Sequence, residues 1–276
     1  MKEYAKNLVK QSSNELQARN KLREYLQALF LSALQRKGAM ISLAFHGGTA
    51  LRFIYQLPRY SEDLDFTLER KADKFNLEEI LKTAQKIFHL QGFETTIKFN
   101  LEKTVQNAFL RFPGLLYEMN LSPHQTETLA IKIEVDTNPP TGTVLVTTLV
   151  RKYITLQIQH HDQASLLSGK LNAFFTRSFT KGRDLYDLLW YLSDPQWPPP
   201  NFKMMNNALR QYNYKGPVLT DQNWKSLLLE KMESVNFDQA RRDVAPFLEF
   251  QHEIDLLTRE NLVRLLKKQV RRSFPF

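Results

Sequence analysis

The sequence predicts an α+β protein: a mixed sheet with flanking helices, followed by a helical C-terminal region. Three observations carry this. Residues 63–68 and 129–136 alternate apolar and polar side chains with the period of a half-buried strand. Residues 13–37 and 76–90 repeat apolar side chains with the period of a helix. Beyond His160 strand-like runs stop, and helical segments follow, interrupted by Pro195 and the Pro198-Pro199-Pro200 run. The predicted division is residues 1–158 for the α/β domain with an N-terminal helix, and 159–276 for the helical domain.

In order, the helix over 13–37 is carried by Leu22, Leu26, Leu29, Phe30, Ala33 and Leu34, with Ser12 or Ser13 as N-cap and Gly38 as its stop. Residues 41–45 form a short apolar run of strand length, broken by Gly47-Gly48, and 49–56 reads as a helix ended by Pro58. In the strand over 63–68, Leu64, Phe66 and Leu68 point one way and Asp63, Asp65 and Thr67 the other. Asn76 caps the next helix, with Glu79 at the capping-box position. Residues 93–99 and 105–112 are strands. In 129–136, Leu129, Ile131, Ile133 and Val135 oppose Lys132, Glu134 and Asp136. Residues 143–149 and 153–158 are further strands, 162–175 and 183–192 helices, and the remainder is helical in pieces. His160-His161-Asp162 reads as a strand end and helix start, and Phe174, Phe175, Trp190 and Tyr191 as core.

With 42% hydrophobic and 24% charged residues the composition is that of a soluble globular chain. The absence of cysteine excludes disulfides, thiolate nucleophiles and Cys-based metal sites. The first twenty residues lack a signal peptide's apolar stretch, and no run approaches the roughly 18 apolar residues of a membrane helix. The expectation is a cytoplasmic protein without membrane contact. The net charge of +9 favours polyanionic partners, and it is uneven: residues 259–276 hold six Lys/Arg and one acid.

Asp63-Leu64-Asp65 puts two carboxylates on one strand face, where they repel unless a cation lies between them. Such oxygen ligands suit Mg2+ shared with substrate phosphates. A solvated strand end would look the same in isolation. Upstream, Phe45-His46-Gly47-Gly48-Thr49 runs from strand to helix, and its glycines let backbone approach a phosphate at a helix N-terminus, with the Thr49 hydroxyl as a further donor. Thr49 precedes Asp63 by fourteen residues, room for one short helix and a turn. A third acid would complete a two-metal site. Glu134 and Asp136 share one strand face and both are available.

The blocks Phe45-His46-Gly47-Gly48-Thr49-Ala50-Leu51-Arg52 and Arg59-Tyr60-Ser61-Glu62-Asp63-Leu64-Asp65-Phe66 resemble the AbiEii family of toxin nucleotidyltransferases, which includes MenT-type enzymes. The run Ile131 to Asp136, and Lys170 to Phe175 with Arg183 to Leu188, resemble the family's later motifs, so the likeness spans roughly 38–192. It implies the DNA-polymerase-β-like nucleotidyltransferase fold, transfer of a nucleoside monophosphate from an NTP, Mg2+ dependence, an RNA (tRNA) end as acceptor, and a toxin role beside an antitoxin. It implies metal ligation by Asp63, Asp65 and Glu134, the last preferred over Asp136 for its place in the family-like run. Thr49 stands where many relatives carry serine, which keeps the hydroxyl.

Lys170, on a helix within a family-like block, is expected to neutralise charge on the leaving pyrophosphate. Asp184 and Asp187, three apart, share a helix face, where one orients Lys170 or holds Arg183. Arg52 and Arg59 are phosphate contacts or partners of Glu62, and Ser61 a cap or phosphate ligand. Two other readings compete: a catalytically idle nucleotide- or partner-binding member of the fold, and a small-molecule nucleotidyltransferase. Intact Asp63 and Asp65 weigh against the first, and the basic surface against the second.

Overall fold

The computed structural model describes residues 1–69 and 75–268 of the 276-residue chain. They fall into two compact units. The first comprises Met1–Gln56, Tyr60–Pro139 and Leu145–His160; the second comprises Leu57–Arg59, Pro140–Val144 and the described chain from His161 onward.

The first unit opens with helix α1 (Lys2–Lys10), which the sequence reading left unassigned; its polar surface buries little beyond Ala5. Helix α2 (Glu15–Arg36) is long and buried on most sides, including Leu22, Leu26, Phe30 and Leu34. Its N-cap is Asn14, not Ser12 or Ser13: the Asn14 side chain accepts from the Gln17 N–H at 2.8 Å. Asn has a planar acceptor at the reach that a cap requires, and Ser13 is instead bonded to the Gln17 side chain. A 3-10 turn at Ala39–Ile41 delays strand β1 to Leu43–His46. Helix α3 (Gly47–Tyr55) follows at once and takes both glycines into its first turn. Strand β2 is Asp63–Leu68. Helix α4 (Leu77–Leu90) is capped by Asn76, which accepts from the Glu79 N–H; the Glu79 carboxylate pairs with Lys37 rather than closing a capping box.

Strands β3 (Thr96–Asn100), β4 (Val105–Phe112), β5 (Leu129–Asp136), β6 (Leu145–Arg151) and β7 (Thr155–His161) complete the sheet, with one short helix, α5 (Leu115–Glu118), before β5. The strand order is β3-β4-β5-β2-β1-β7-β6. The sheet is mixed: β2 runs parallel to β5 and antiparallel to β1, while β1 runs parallel to β7. The predicted alternation holds. Leu64 and Phe66 of β2 are buried beside Ile133 and Val135 of β5, and the acidic positions on the opposite face stay partly exposed.

The second unit is helical: α6 (Gln163–Thr176), α7 (Gly182–Ser193), α8 (Phe202–Gln211), α9 (Trp224–Met232), α10 (Phe237–Val244) and α11 (Arg259–Lys268). Asp162 caps α6, accepting from the Ser165 N–H at 2.8 Å. Gly182 is where α7 meets α10, since a Cβ there would strike the Ala240 carbonyl. Phe174, Phe175 and Tyr191 are core, as expected. Among the described residues no helix is long and apolar enough to cross a membrane.

Candidate active site

Register builds the acidic site. In a sheet, directly paired residues project to the same face. Asp65 of β2 is paired with Glu134 of β5 on one side and with His46 of β1 on the other, and Asn107 of β4 continues the row beyond Glu134. Asp63 is paired with Lys132, and Thr67 with Asp136. Asp63, Asp65 and Glu134 therefore occupy adjacent positions on one face, while Asp136 stands one step further along. Asp136 caps the Asn138 N–H at 2.9 Å, and burial pushes its carboxyl up from the usual range.

The glycine turn abuts this row. Gly47 has φ +75°, a conformation that costs an L side chain energy. A Cβ built on it would collide with the Asp65 carboxylate, reaching Oδ2 first and Cγ at 3.1 Å. Thr49, fully buried, donates its hydroxyl to the Asp63 carbonyl. The expected phosphate donor thus ties the turn to β2. Gln27 of α2 donates from Nε2 to the carbonyls of Ser61 (3.0 Å) and Glu62 (2.9 Å), which fixes the chain as it enters β2.

Nearby, Arg52 donates from Nε to buried Glu24 at 2.5 Å and lies over the Tyr60 ring. Glu24 also meets Lys152 at 3.1 Å and accepts from the Tyr153 hydroxyl at 2.7 Å. Burial would raise the Glu24 carboxyl, but Arg52 and Lys152 hold it below the usual range.

Lys132 is the residue that sequence reasoning missed. Its Nζ lies 2.8 Å from a Glu134 oxygen. Burial would lower its pKa, but Glu134, then Asp63 and Asp65, hold it above the usual lysine range. The signal was present in the alternation of 129–136, which sets Lys132 on the face of Glu134 and two residues away. Only the register shows that it also stands beside Asp63.

The donors suit a hard divalent cation, because carboxylate oxygens at Asp63 and Asp65 share a face and a third lies in the adjacent row. Among the described residues, no three His, Cys, Asp or Glu side chains are gathered closely enough to hold a metal ion. Glu134 is turned to Lys132 instead.

The second unit assembles the other predicted residues. Arg59, 2% exposed, donates from Nε and Nη2 to the two oxygens of Asp187, each at 2.6 Å. Lys170 Nζ lies 2.7 Å from Asp187 and 3.2 Å from Asp184. Arg177 also pairs with Asp184. Burial would raise the Asp187 carboxyl, but Arg59 and Lys170 hold it well below the usual range. Burial would likewise lower Lys170, and Asp187 and Asp184 outweigh it. Both Asp184 and Asp187, either of which the sequence offers to orient Lys170 or to hold Arg183, contact Lys170, and Arg183 lies over the Phe247 ring.

The family model for the nucleotidyl transferase AbiEii toxin of type IV toxin–antitoxin systems matches residues 29–263. The chain belongs to the AbiEii family. The match extends beyond the motif blocks on both sides and includes most of the helical unit, so this AbiEii member is a nucleotidyltransferase of the toxin class. The search of curated proteins gave no match. Solved structures similar to it include a Helicobacter pylori protein assigned as a nucleotidyltransferase, at 18% identity and TM-score 0.56, covering 92% of this chain and 97% of that one. JHP933 from Helicobacter pylori matches at 17% identity and TM-score 0.53, over 92% and 94%. These two share the fold of this AbiEii protein. The MenT4 nucleotidyltransferase toxin Rv2826c of Mycobacterium tuberculosis superposes more loosely, at TM-score 0.47 and 14% identity, over 96% of this chain and 99% of that one.

Proposed function

We propose that this enzyme transfers a nucleoside monophosphate from an NTP to the end of an RNA, with Asp63, Asp65 and Glu134 as Mg2+ ligands. The observation that carries the reading is the alignment of Asp65 with Glu134 on one sheet face, one strand from a glycine turn that abuts the Asp65 carboxylate. In the reaction an acceptor hydroxyl oxygen bonds to the α-phosphorus and releases its proton to solvent, the bond from that phosphorus to the α–β bridging oxygen breaks, and pyrophosphate leaves with the electron pair. Mg2+, when bound by these carboxylates, would offset the negative charge of the phosphates.

The chain's own groups have separate roles. The backbone N–H groups at the start of α3 bind phosphate oxygens, as expected for Gly47-Gly48. Thr49 supports them by locking the turn to β2. Glu134 would hold the cation together with Asp63 and Asp65, and Lys132, 2.8 Å from Glu134, is placed to contact a phosphate. Lys170, held by Asp184 and Asp187, supplies positive charge to the leaving pyrophosphate; buried Arg59 supports it through Asp187, and Ser61 is a supporting phosphate-side residue. The basic C-terminal region favours RNA over a small molecule, with tRNA the first RNA to try, and an antitoxin protein is the partner that fits a toxin of this family.

The test is to incubate the purified chain with each α-labelled NTP, Mg2+ and total RNA, then resolve the products. Label on RNA with the wild type and none with Asp65→Asn supports the reading. Label on protein or on a small molecule replaces the acceptor, and absence of any label under all four NTPs sinks the enzymatic proposal.

A further inference from the structure

The second unit contains a cavity of about 280 Å³ that none of the roles above uses. Helix α7 contributes Tyr186, Trp190 and Ser193, spaced four and three apart and so on one helical face. Helix α11 contributes Asn261 and Arg264, three apart, and Glu253 lines the cavity between them in sequence. The volume lies just below the range of about 300–1,000 Å³ that encloses drug-sized ligands, which leaves room for one planar group.

The lining has a defined chemistry. Trp190 is only partly buried, packed edge-on against Trp197 at 4.8 Å between centroids, and provides an aromatic surface. Sequence reasoning placed it in the core with Tyr191, but only Tyr191 is there. Glu253 accepts from the Tyr186 hydroxyl at Oε2, and its Oε1 takes no hydrogen bond among the described residues. That leaves an acceptor suited to an exocyclic amino group. Arg264 donates to the neutral Asn261 side chain at 2.8 Å and has no carboxylate partner among the described residues. Arg259 and Lys267 are exposed on the same helix.

An aromatic wall, a carboxylate acceptor and an unneutralised arginine on an exposed basic helix match a base attached to a phosphate backbone. We infer that this cavity takes a single unstacked nucleobase of the RNA acceptor, stacked on Trp190, while α11 holds the adjoining phosphates. The inference rests on the RNA-acceptor reading and adds a base-binding site to it. A free nucleotide fits less well, because the cavity has space for one planar group and one lining cation.

The experiment measures binding of the full-length protein to a fluorescein-labelled twelve-nucleotide single-stranded RNA of mixed sequence, and to an abasic strand with the same backbone, over a range of salt. The wild type should prefer the base-bearing strand. Stacking of one base corresponds to a loss of about 5- to 150-fold on removal of its aromatic platform. Trp190→Ala should remove the preference to that extent without altering the salt slope. Ser193→Trp, at an exposed position, should do the same by filling the cavity, and it serves if Trp190→Ala does not fold. Equal affinity of the wild type for the two strands, or retention of the preference in Ser193→Trp, overturns the cavity inference and leaves the RNA acceptor standing. Failure of the wild type to bind either strand at low salt overturns both.

Discussion

The Asp65 carboxylate occupies the space that a side chain on Gly47 would need. The turn and the acidic strand are therefore fitted to each other at one atom position, and the fit accounts for the glycine twice: by its φ of +75° and by contact. We expect Gly47→Ala to destabilise the protein by about 1–3 kcal/mol, from left-handed strain together with displacement of the Asp65 side chain. Transfer should fall more than stability does, because the displaced carboxylate is the proposed ligand. Thermal melts and initial transfer rates on the same preparation separate the two effects. A variant with wild-type rates would show that Asp65 can move without consequence.

Asp63→Ala and Asp65→Ala should each reduce transfer at least hundredfold, consistent with several kcal/mol of lost transition-state stabilisation. Both side chains are partly exposed, so the melting temperature should change less than the transfer rate does. Near-normal turnover in either variant, at equal metal content, removes Asp63 and Asp65 from the chemistry.

Lys170→Ala tests two roles at once. Breaking a buried pair by removing one partner typically costs about 3–5 kcal/mol, and Lys170 contacts Asp187 and Asp184 at 2.7 and 3.2 Å. Asp187 keeps Arg59, which should place the loss at the low end. If Lys170 also serves the leaving group, turnover falls strongly while NTP binding stays within about tenfold. Unchanged turnover in a folded, destabilised variant would make it a structural lysine.

The same cluster sets a pH window. Asp187 titrates below its unfolded value near 3.9, so its contribution is present above about pH 4 and is lost as pH falls through the lower folded value. Lys170 titrates above its unfolded value near 10.4, so its contribution is complete below that pH and is lost as pH rises through the higher folded value. Between about pH 5 and 9 the cluster should leave stability flat. Urea midpoints against pH, for wild type and Asp187→Asn, check this; a variant that loses stability below pH 4 as steeply as the wild type would acquit Asp187.

The basic helix gives the last prediction. Arg264 and Lys267 are exposed on α11, and Lys268 ends it; Arg271 and Arg272 lie outside the described residues. Leu262 and Leu266 are buried, as the helical spacing requires, while Val263 and Leu265 are half-buried. Replacing Lys267, Lys268, Arg271 and Arg272 with Gln should weaken RNA binding and flatten its salt dependence by somewhat under one unit of slope for each lost single-strand phosphate contact. NTP binding should not change. Wild-type affinity and slope would remove the basic segment from the acceptor site.

The sequence by itself determined the elements and the side-chain chemistry. Period-two alternation and period-3.6 repeats are local, so β2, β5, α2 and α4 were legible, as was the Asn76 cap. The carboxylates of Asp63 and Asp65 were legible as a pair because they stand two positions apart on one strand, with Leu64 between them on the other face. The tertiary structure decided what depends on register and long-range packing. Glu134 and Asp136 are equivalent along β5, and only the pairing with β2 sets Glu134 beside Asp65 and Lys132 beside Asp63. Arg59 and Asp187 are 128 residues apart, and no local pattern announces a bidentate pair at that separation. Thr49 could offer its hydroxyl outward or inward, and the approach of β2 to the glycine turn turned it to the Asp63 carbonyl. Local sequence fixes what a side chain is and which way its element faces; which partner it meets depends on contacts between segments far apart in the chain.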